Sequence, residues 1–201
     1  MAEAIRPLRV PVVALVGRPN VGKSRLFNRF TGSSRALVEG TPGVTRDRVA
    51  ASVEIAGREI LLVDTAGLED EDRSDLSQAV QRQAREAVEE ADAILFVVDG
   101  RAGLLPEDEE IGRTLRRTSR PLAVLVNKLD TPSRLPETAE FHRLGLEPVC
   151  GVSAEHGLGA FDALEELVGQ LPAVDEEPSK TAADAPLRIA FVGRPNVGKS
   201  T

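Results

Sequence analysis

The sequence predicts a three-layer α/β fold, with helices on both faces of a mostly parallel six-stranded sheet that has one antiparallel edge strand. Short apolar runs, such as residues 10–16, alternate with segments of helical spacing, which is typical of parallel strands buried on both faces. The strands predicted at 49–55 and 59–64 are separated by only three residues. Such a short connection favours an antiparallel hairpin.

The other elements follow in chain order. After the first strand, a helix is predicted from Lys23 to Gly32, where glycine can end a helix in the left-handed conformation. Further helices are predicted at 74–90, from 106 onward, at 138–144 and at 159–171, and further strands at 94–98, 121–126 and 147–149. The helix from residue 106 has acids in its first turn and arginines near its end. This pattern suits the helix dipole, and an RNA contact by the arginines is the alternative.

Composition narrows the classes of protein. The net charge of −7 over 201 residues argues against a polycation built to hold nucleic acid, and we predict no DNA partner. The single cysteine, Cys150, excludes an internal disulfide and is interpreted as a small hydrophobe at a strand end. No apolar run reaches the roughly 18 residues of a membrane span, and residues 1–9 lack the apolar core of a signal peptide. We therefore expect a cytoplasmic protein without a membrane partner.

A phosphate-binding loop is predicted between the first strand and the first helix. Its sequence matches G-x-x-x-x-G-K-[ST] and consists of Gly17, Arg18, Pro19, Asn20, Val21, Gly22, Lys23 and Ser24. The glycines let backbone N–H groups face phosphate oxygens, and the following helix adds its N-terminal donors. Lys23 is expected to reach the β- and γ-phosphates of a nucleoside triphosphate, and the Ser24 hydroxyl to bind Mg²⁺.

Two further segments are expected to complete the phosphate end of the site. Asp64 ends the third predicted strand, where its carboxylate can support the Mg²⁺ shell. Gly67 follows shortly afterwards and lets a backbone N–H approach the γ-phosphate. Thr45 lies in the long polar loop at 33–48 and can place a second hydroxyl on the same ion.

The base end of the site is predicted at the ends of the fifth and sixth strands. The residues concerned are Asn127, Lys128 and Asp130 after one strand and Ser153 and Ala154 after the other. A carboxylate at Asp130 can accept two N–H bonds from one base edge, which guanine offers and adenine does not. A base that lacks those donors would leave the carboxylate unpaired, so a strong preference for guanine over adenine is expected. This feature disfavours an ATP-using kinase.

Together these segments resemble the five guanine-nucleotide motifs of the translation-factor-related GTPases, over about residues 10–171. The segment at 42–47, Pro-Gly-Val-Thr-Arg-Asp, is similar to the Era-like branch. The resemblance implies a P-loop GTPase fold and a molecular switch that binds GTP and GDP with Mg²⁺. It also implies an enzyme that hydrolyses GTP to GDP and phosphate.

The octapeptide of residues 17–24 recurs unchanged at 193–200, again after an apolar segment. A repeat of this kind predicts the start of a second copy of the domain. We predict a first G domain at 1–172, an acidic, alanine- and proline-containing linker at 173–187 and the beginning of a second G domain at 188–201. The second loop as given lacks its helix and base-reading strand, so we expect it not to bind nucleotide.

Tandem G domains resemble the Der (EngA) family of GTPases. That resemblance implies a role in assembly of the large ribosomal subunit, with a subunit precursor or rRNA as the partner of the full-length protein. We accordingly expect this chain to be an N-terminal fragment. Another Era-like GTPase, such as the tRNA-modification type, is the alternative within the class, and the second octapeptide argues against it.

Leu68 stands where GTPases such as Ras place the glutamine that orients the attacking water, and leucine cannot hydrogen-bond water. The Era-like resemblance suggests that Asn20 and the Thr45 loop bind K⁺ in compensation; a partner that supplies the missing group is the other explanation. Asn20 can also be read as a turn residue that satisfies its own loop. The residues expected to take part in hydrolysis are Lys23, Thr45, Gly67 and Asn20. A catalytically silent GTP-binding scaffold remains the alternative from another class.

Overall fold

The computed structural model describes residues 10–33, 49–65 and 89–172. In this part of the chain six strands form one sheet in the order β2-β3-β1-β4-β5-β6. The strands are β1 (Val12–Val16), β2 (Val49–Ile55), β3 (Arg58–Asp64), β4 (Ala93–Asp99), β5 (Leu122–Asn127) and β6 (Val149–Gly151). β2 runs antiparallel to β3, and every other neighbouring pair is parallel. The predicted sheet with one antiparallel edge strand is confirmed.

Helices cover both faces of the sheet. Within the described ranges they are α1 (Lys23–Ser33), α2 (Pro106–Leu115), a 3-10 helix (Pro132–Leu144) and α3 (Ala160–Gly169). Val13 and Leu15 of β1 join a core cluster with α1 and α3, whereas Ala14 and Val16 join a second cluster with α2 and the 3-10 helix. Alternate residues of β1 therefore pack into the two cores on opposite faces of the sheet, which explains why the strand is a continuous apolar run.

The structure shifts several predicted boundaries. A single 3-10 helix spans Pro132–Leu144 where a short α-helix was predicted at 138–144. Pro136 lies inside this segment and carries no backbone N–H, so one donor of a regular α-helical ladder is missing, whereas Pro132 stands at the first helical position, where an N–H would have no partner in the helix. β6 begins at Val149, after Pro148, whose missing N–H likewise cannot join a strand ladder.

Some predictions fall where the structure gives no description. These are the loop at 34–48 and all but the last two residues of the helix predicted at 74–90. Among residues 10–33, 49–65 and 89–172, no helix combines the length and apolar character needed to cross a bilayer.

Candidate nucleotide-binding site

The predicted phosphate-binding loop leaves the carboxyl end of β1 and enters α1, as expected. Gly17 has φ 152° and Gly22 has φ 103°. A Cβ on Gly17 would lie 2.2 Å from the Val97 carbonyl oxygen, and one on Gly22 would lie 2.3 Å from the Asn127 amide nitrogen. Both glycines are therefore required by close packing of the loop on β4 and β5, as well as by their backbone conformation.

Lys23 lies inside the loop, with only 4% of its surface exposed. Its Nζ donates to the carbonyl oxygens of Gly17 and Arg18, at 2.8 Å in each case. Two backbone dipoles thus hold the ammonium group across the loop. The loop thereby places a positive charge among backbone groups, where the sequence predicts phosphate.

The side chain of Arg18 connects the loop to α2. Its Nε donates to Asp108 Oδ1 at 2.7 Å, and the other oxygen of Asp108 accepts from the backbone N–H of Leu105 at 3.2 Å. Asp108 is fully buried. Burial raises the pKa of its carboxyl group, against the opposing effect of the Arg18 hydrogen bond. The sequence gives no sign of this contact, because Asp108 belongs to an acidic run that the helix dipole already explains.

Asn127, at the end of β5, joins the phosphate-binding loop to the segment after β6. Its Nδ2 donates to the Val21 carbonyl oxygen at 2.8 Å, and its Oδ1 accepts from the Ala154 N–H at 2.9 Å. The side chain is only 2% exposed. Asn127 therefore ties together three segments that are far apart in the chain.

Lys128 forms a second bridge to the loop. The residue has φ 70°, and its Nζ donates to the Asn20 carbonyl oxygen at 2.8 Å and to Asp99 Oδ2 at 2.7 Å. Burial acts to raise the pKa of Asp99. The hydrogen bonds from Lys128 and from the backbone N–H of Arg101 outweigh it and hold that pKa below its usual value. Asp99 ends β4, and its strand-end position was the signal that could have singled it out.

Asp130 is held as an ionised acceptor. Ser153 Oγ donates to its Oδ1 at 2.7 Å, and the Arg101 guanidinium pairs with its Oδ2. The hydrogen bond from Ser153, with that from Arg101, lowers the pKa of Asp130 below its usual value. A carboxylate in this state can only accept hydrogen bonds at neutral pH, which is what reading two N–H donors of a base requires.

The predicted metal-binding residues fall only partly within the description. Asp64 ends β3 opposite Leu15 of β1, and the neighbouring Thr65 donates through Oγ1 to the Leu15 carbonyl oxygen at 2.7 Å. Ser24 is exposed in the first turn of α1. These two side chains offer oxygen ligands at one edge of the sheet, a donor set that fits Mg²⁺ completed by phosphate oxygens. The residues outside the description are Thr45, Gly67, Leu68 and the second octapeptide.

The structure thus brings together, at one edge of the sheet, the predicted residues that it describes. These are Gly17, Arg18, Pro19, Asn20, Val21, Gly22, Lys23, Ser24, Asp64, Asn127, Lys128, Asp130, Ser153 and Ala154. The strand order explains this convergence, because parallel strands end at the same edge.

Comparison with known proteins agrees with this geometry. The family described as 50S ribosome-binding GTPase matches residues 12–128. The GTPase Der of Desulforudis audaxviator is 51% identical over 191 residues, which are 95% of this chain and 43% of that protein. This chain therefore spans less than half the length of that relative.

Solved structures of Era are also similar. An Aquifex aeolicus Era variant bound to GDP and AlF4⁻ matches with a TM-score of 0.65 at 32% identity, over 83% of this chain and 58% of that one. Era in complex with MgGDPNP and a segment of 16S ribosomal RNA matches with a TM-score of 0.64 at 32% identity and the same two coverages. The observed sheet is therefore that of the P-loop GTPase fold. With a family match over more than half of its residues, the chain belongs to the 50S ribosome-binding GTPases.

Proposed function

We propose that residues 1–172 form a G domain that binds GTP and GDP and hydrolyses GTP in the cytoplasm. The observation that carries the proposal is the hydrogen bond from Asn127 to the Val21 carbonyl oxygen, 2.8 Å long. It joins the base-reading segment to the phosphate-binding loop, so that one nucleotide can span both. Asp130, whose Oδ1 accepts a hydrogen bond from Ser153, supplies the preference for guanine.

The residues of the site divide the work between them. Lys23 and the backbone N–H groups of the loop bind the phosphates, and Ser24 and Thr45 bind Mg²⁺ with Asp64 behind them. When bound, Mg²⁺ neutralises charge that develops on the phosphate oxygens. Ser153 and Ala154 complete the part of the site that binds the guanine base. This assignment is supported by the buried position of Lys23 and by the oxygen-only donor set at Ser24 and Asp64.

The proposed switch acts through two segments outside the described residues. Contacts of Thr45 and Gly67 with the γ-phosphate order their loops in the GTP state, and hydrolysis releases them. We further propose that residues 173–187 are a linker and that 188–201 begin a second G domain. The octapeptide at 193–200 does not bind nucleotide within this chain.

Hydrolysis needs a substitute for the glutamine that Leu68 replaces, and we propose that K⁺ at Asn20 provides it. Asn20 adopts φ 64° within the phosphate-binding loop, and its carbonyl oxygen is held by Lys128. The turn therefore has a defined conformation, from which a side-chain oxygen can be presented to an ion. A cation there would stabilise charge that develops during phosphoryl transfer.

This predicts that GTP turnover with Mg²⁺ is markedly faster in potassium than in sodium at equal ionic strength. The measurement is phosphate release under multiple-turnover conditions. Equal rates in the two salts would remove the potassium mechanism and leave a GTPase. Tight GTP binding without turnover in either salt would favour the silent scaffold.

We propose that the switch controls docking to a precursor of the large ribosomal subunit. The support is the family to which the chain belongs and its similarity to relatives named GTPase Der. The expected result is that more of the full-length protein sediments with large-subunit precursors in a non-hydrolysable GTP analogue than in GDP. Equal association in both nucleotides would contradict control by the switch. Binding of tRNA instead of the subunit would favour the tRNA-modification type.

A further inference from the structure

The guanidinium group of Arg29, on α1, contacts the backbone of the segment after β6. Its Nε donates to the Ala154 carbonyl oxygen at 2.6 Å, and its Nη2 donates to the Glu155 carbonyl oxygen at 2.5 Å. A Cβ on Gly157, which has φ 76°, would lie 2.6 Å from Arg29 Nη1. The segment 153–158 therefore packs closely around this guanidinium group, and we call it the 153–158 loop.

The contact with Glu155 is continuous with the base-reading carboxylate. The Glu155 carbonyl and the His156 N–H belong to one planar peptide unit, so holding the carbonyl also sets the direction of the N–H. That N–H donates to Ser153 Oγ at 3.0 Å. The Ser153 hydroxyl oxygen thus accepts a hydrogen bond from His156. Its own proton is directed at Asp130 Oδ1, to which it donates at 2.7 Å.

The contact with Ala154 leads to the other base-reading residue. Arg29 holds the Ala154 carbonyl oxygen, and the N–H of the same residue donates to Asn127 Oδ1 at 2.9 Å. Ala154 is thus fixed on both sides. Arg29 is in this way linked to Asn127 through two hydrogen bonds and to Asp130 through three.

Both ends of the site are carried by the same helix. α1 begins at Lys23, which lies in the phosphate-binding loop, and Arg29 follows on the same helix. A helix transmits position rigidly over so short a distance. The spacing between the phosphate-binding loop and the 153–158 loop is therefore set through α1 as well as through the sheet.

We propose that Arg29 is a positioning residue that determines base specificity, by holding the 153–158 loop so that Ser153 and Asp130 read guanine. Arg29 acts through the loop and not on the nucleotide. The inference rests on the proposed guanine recognition by Asp130. Arginine binds the two carbonyls with two separate nitrogens of one rigid plane, which fixes the direction of both hydrogen bonds, whereas lysine would have to bind both from a single, freely rotating ammonium group.

The test compares three variants of the full 201-residue chain: R29A, R29K and the control R25A. Arg25 lies on the same helix and pairs with the Glu155 side chain, and both side chains are largely exposed. R25A therefore removes the same charge next to the same loop without removing a backbone contact. Affinities for GDP and for inosine diphosphate (IDP) are measured by titration calorimetry. The base of IDP is hypoxanthine, which lacks the 2-amino group that Asp130 is proposed to bind.

The expected result for R29A is a loss of GDP affinity of about tenfold or more, since two hydrogen bonds from a charged donor are removed. The GDP-to-IDP affinity ratio should narrow by about fivefold, because a displaced Asp130 gains less from the 2-amino group. R29K should lie between R29A and the parent chain. R25A should stay within about twofold of the parent in both quantities, as exposed ion pairs contribute little.

Each other outcome has a definite meaning. A parent chain that binds GDP and IDP equally would overturn the proposed guanine recognition itself. If the parent chain prefers GDP and the R29A variant keeps the full GDP-to-IDP ratio, the inference is overturned: weaker binding of both nucleotides would show a merely structural role for Arg29, and unchanged binding would show no role. If thermal unfolding shows that R29A does not fold, the decision passes to R29K, whose unchanged ratio would equally overturn it.

Discussion

Replacement of Lys23 by alanine is expected to lower GTP affinity by at least about 100-fold, because a charged donor contributes roughly 1.5–3 kcal/mol per hydrogen bond. The ammonium group is buried and held across the loop by the carbonyls of Gly17 and Arg18. A charge kept in place before ligand binding costs no reorganisation when phosphate arrives, which increases its contribution. The measurement is equilibrium titration with a fluorescent GTP analogue.

The control for this variant is R117A, which removes an exposed cation beyond the end of α2, outside the proposed site. R117A should bind GTP as the parent chain does. Thermal unfolding with and without GTP separates lost binding from lost folding, since the K23A protein should fold but gain no stability from nucleotide. GTP binding that persists in K23A would contradict the role of Lys23 if it also persists in the K23A/K199A double variant, and would contradict the prediction that the octapeptide at 193–200 is silent if K199A abolishes it.

Asp130→Asn is expected to weaken GDP binding by about 100-fold or more, because the loss of one charged acceptor removes or weakens two hydrogen bonds. Asparagine presents one acceptor and one donor, and the donor faces a guanine N–H. Xanthine carries a carbonyl oxygen where guanine has its 2-amino group, and this oxygen can accept a hydrogen bond from the asparagine amide. The D130N protein should therefore bind xanthosine diphosphate (XDP) more tightly than GDP, as measured by competition against a fluorescent nucleotide.

The salt bridge between Arg101 and Asp130 does not account for a change of this size. Arg101 is 59% exposed, and exposed ion pairs contribute at most about 1 kcal/mol. R101A should therefore cost less than about fivefold in GDP affinity. The matched control D162N makes the same chemical change at an exposed position in the first turn of α3, and should leave the preference for GDP intact. A D130N protein that still prefers GDP would exclude Asp130 as the base reader.

Much of the fold could be predicted because its signals are local. The alternation of apolar runs and helical spacing predicted the sheet and its antiparallel edge strand. Strand boundaries were less accurate, and β5 extends to Asn127, one residue beyond the predicted end. Asn127 is both the last residue of the strand and a proposed site residue, and its polar side chain gave no sign in the sequence that the strand continues to it.

The motif residues could be predicted because they follow strand ends, and parallel strands end at one edge of the sheet. The chain alone therefore indicated that Lys23, Asp64, Asn127 and Asp130 belong to one site. It also indicated Mg²⁺ and a guanine nucleotide as ligands, through the residue types at those positions. The family match supports the class of protein so predicted.

The side chains that hold those residues in place were decided by tertiary structure. Arg18 meets Asp108, 90 residues away, and Arg29 meets Ala154, 125 residues away. In the sequence, both arginines resemble ordinary polar positions of a loop and a helix. A local sequence pattern predicts which face of its helix or strand a residue occupies. It does not predict hydrogen-bond partners on distant segments, which come together only when the sheet forms. The residues proposed to bind the ligand could therefore be predicted from the sequence, whereas the contacts that hold them in place became evident only in the folded chain.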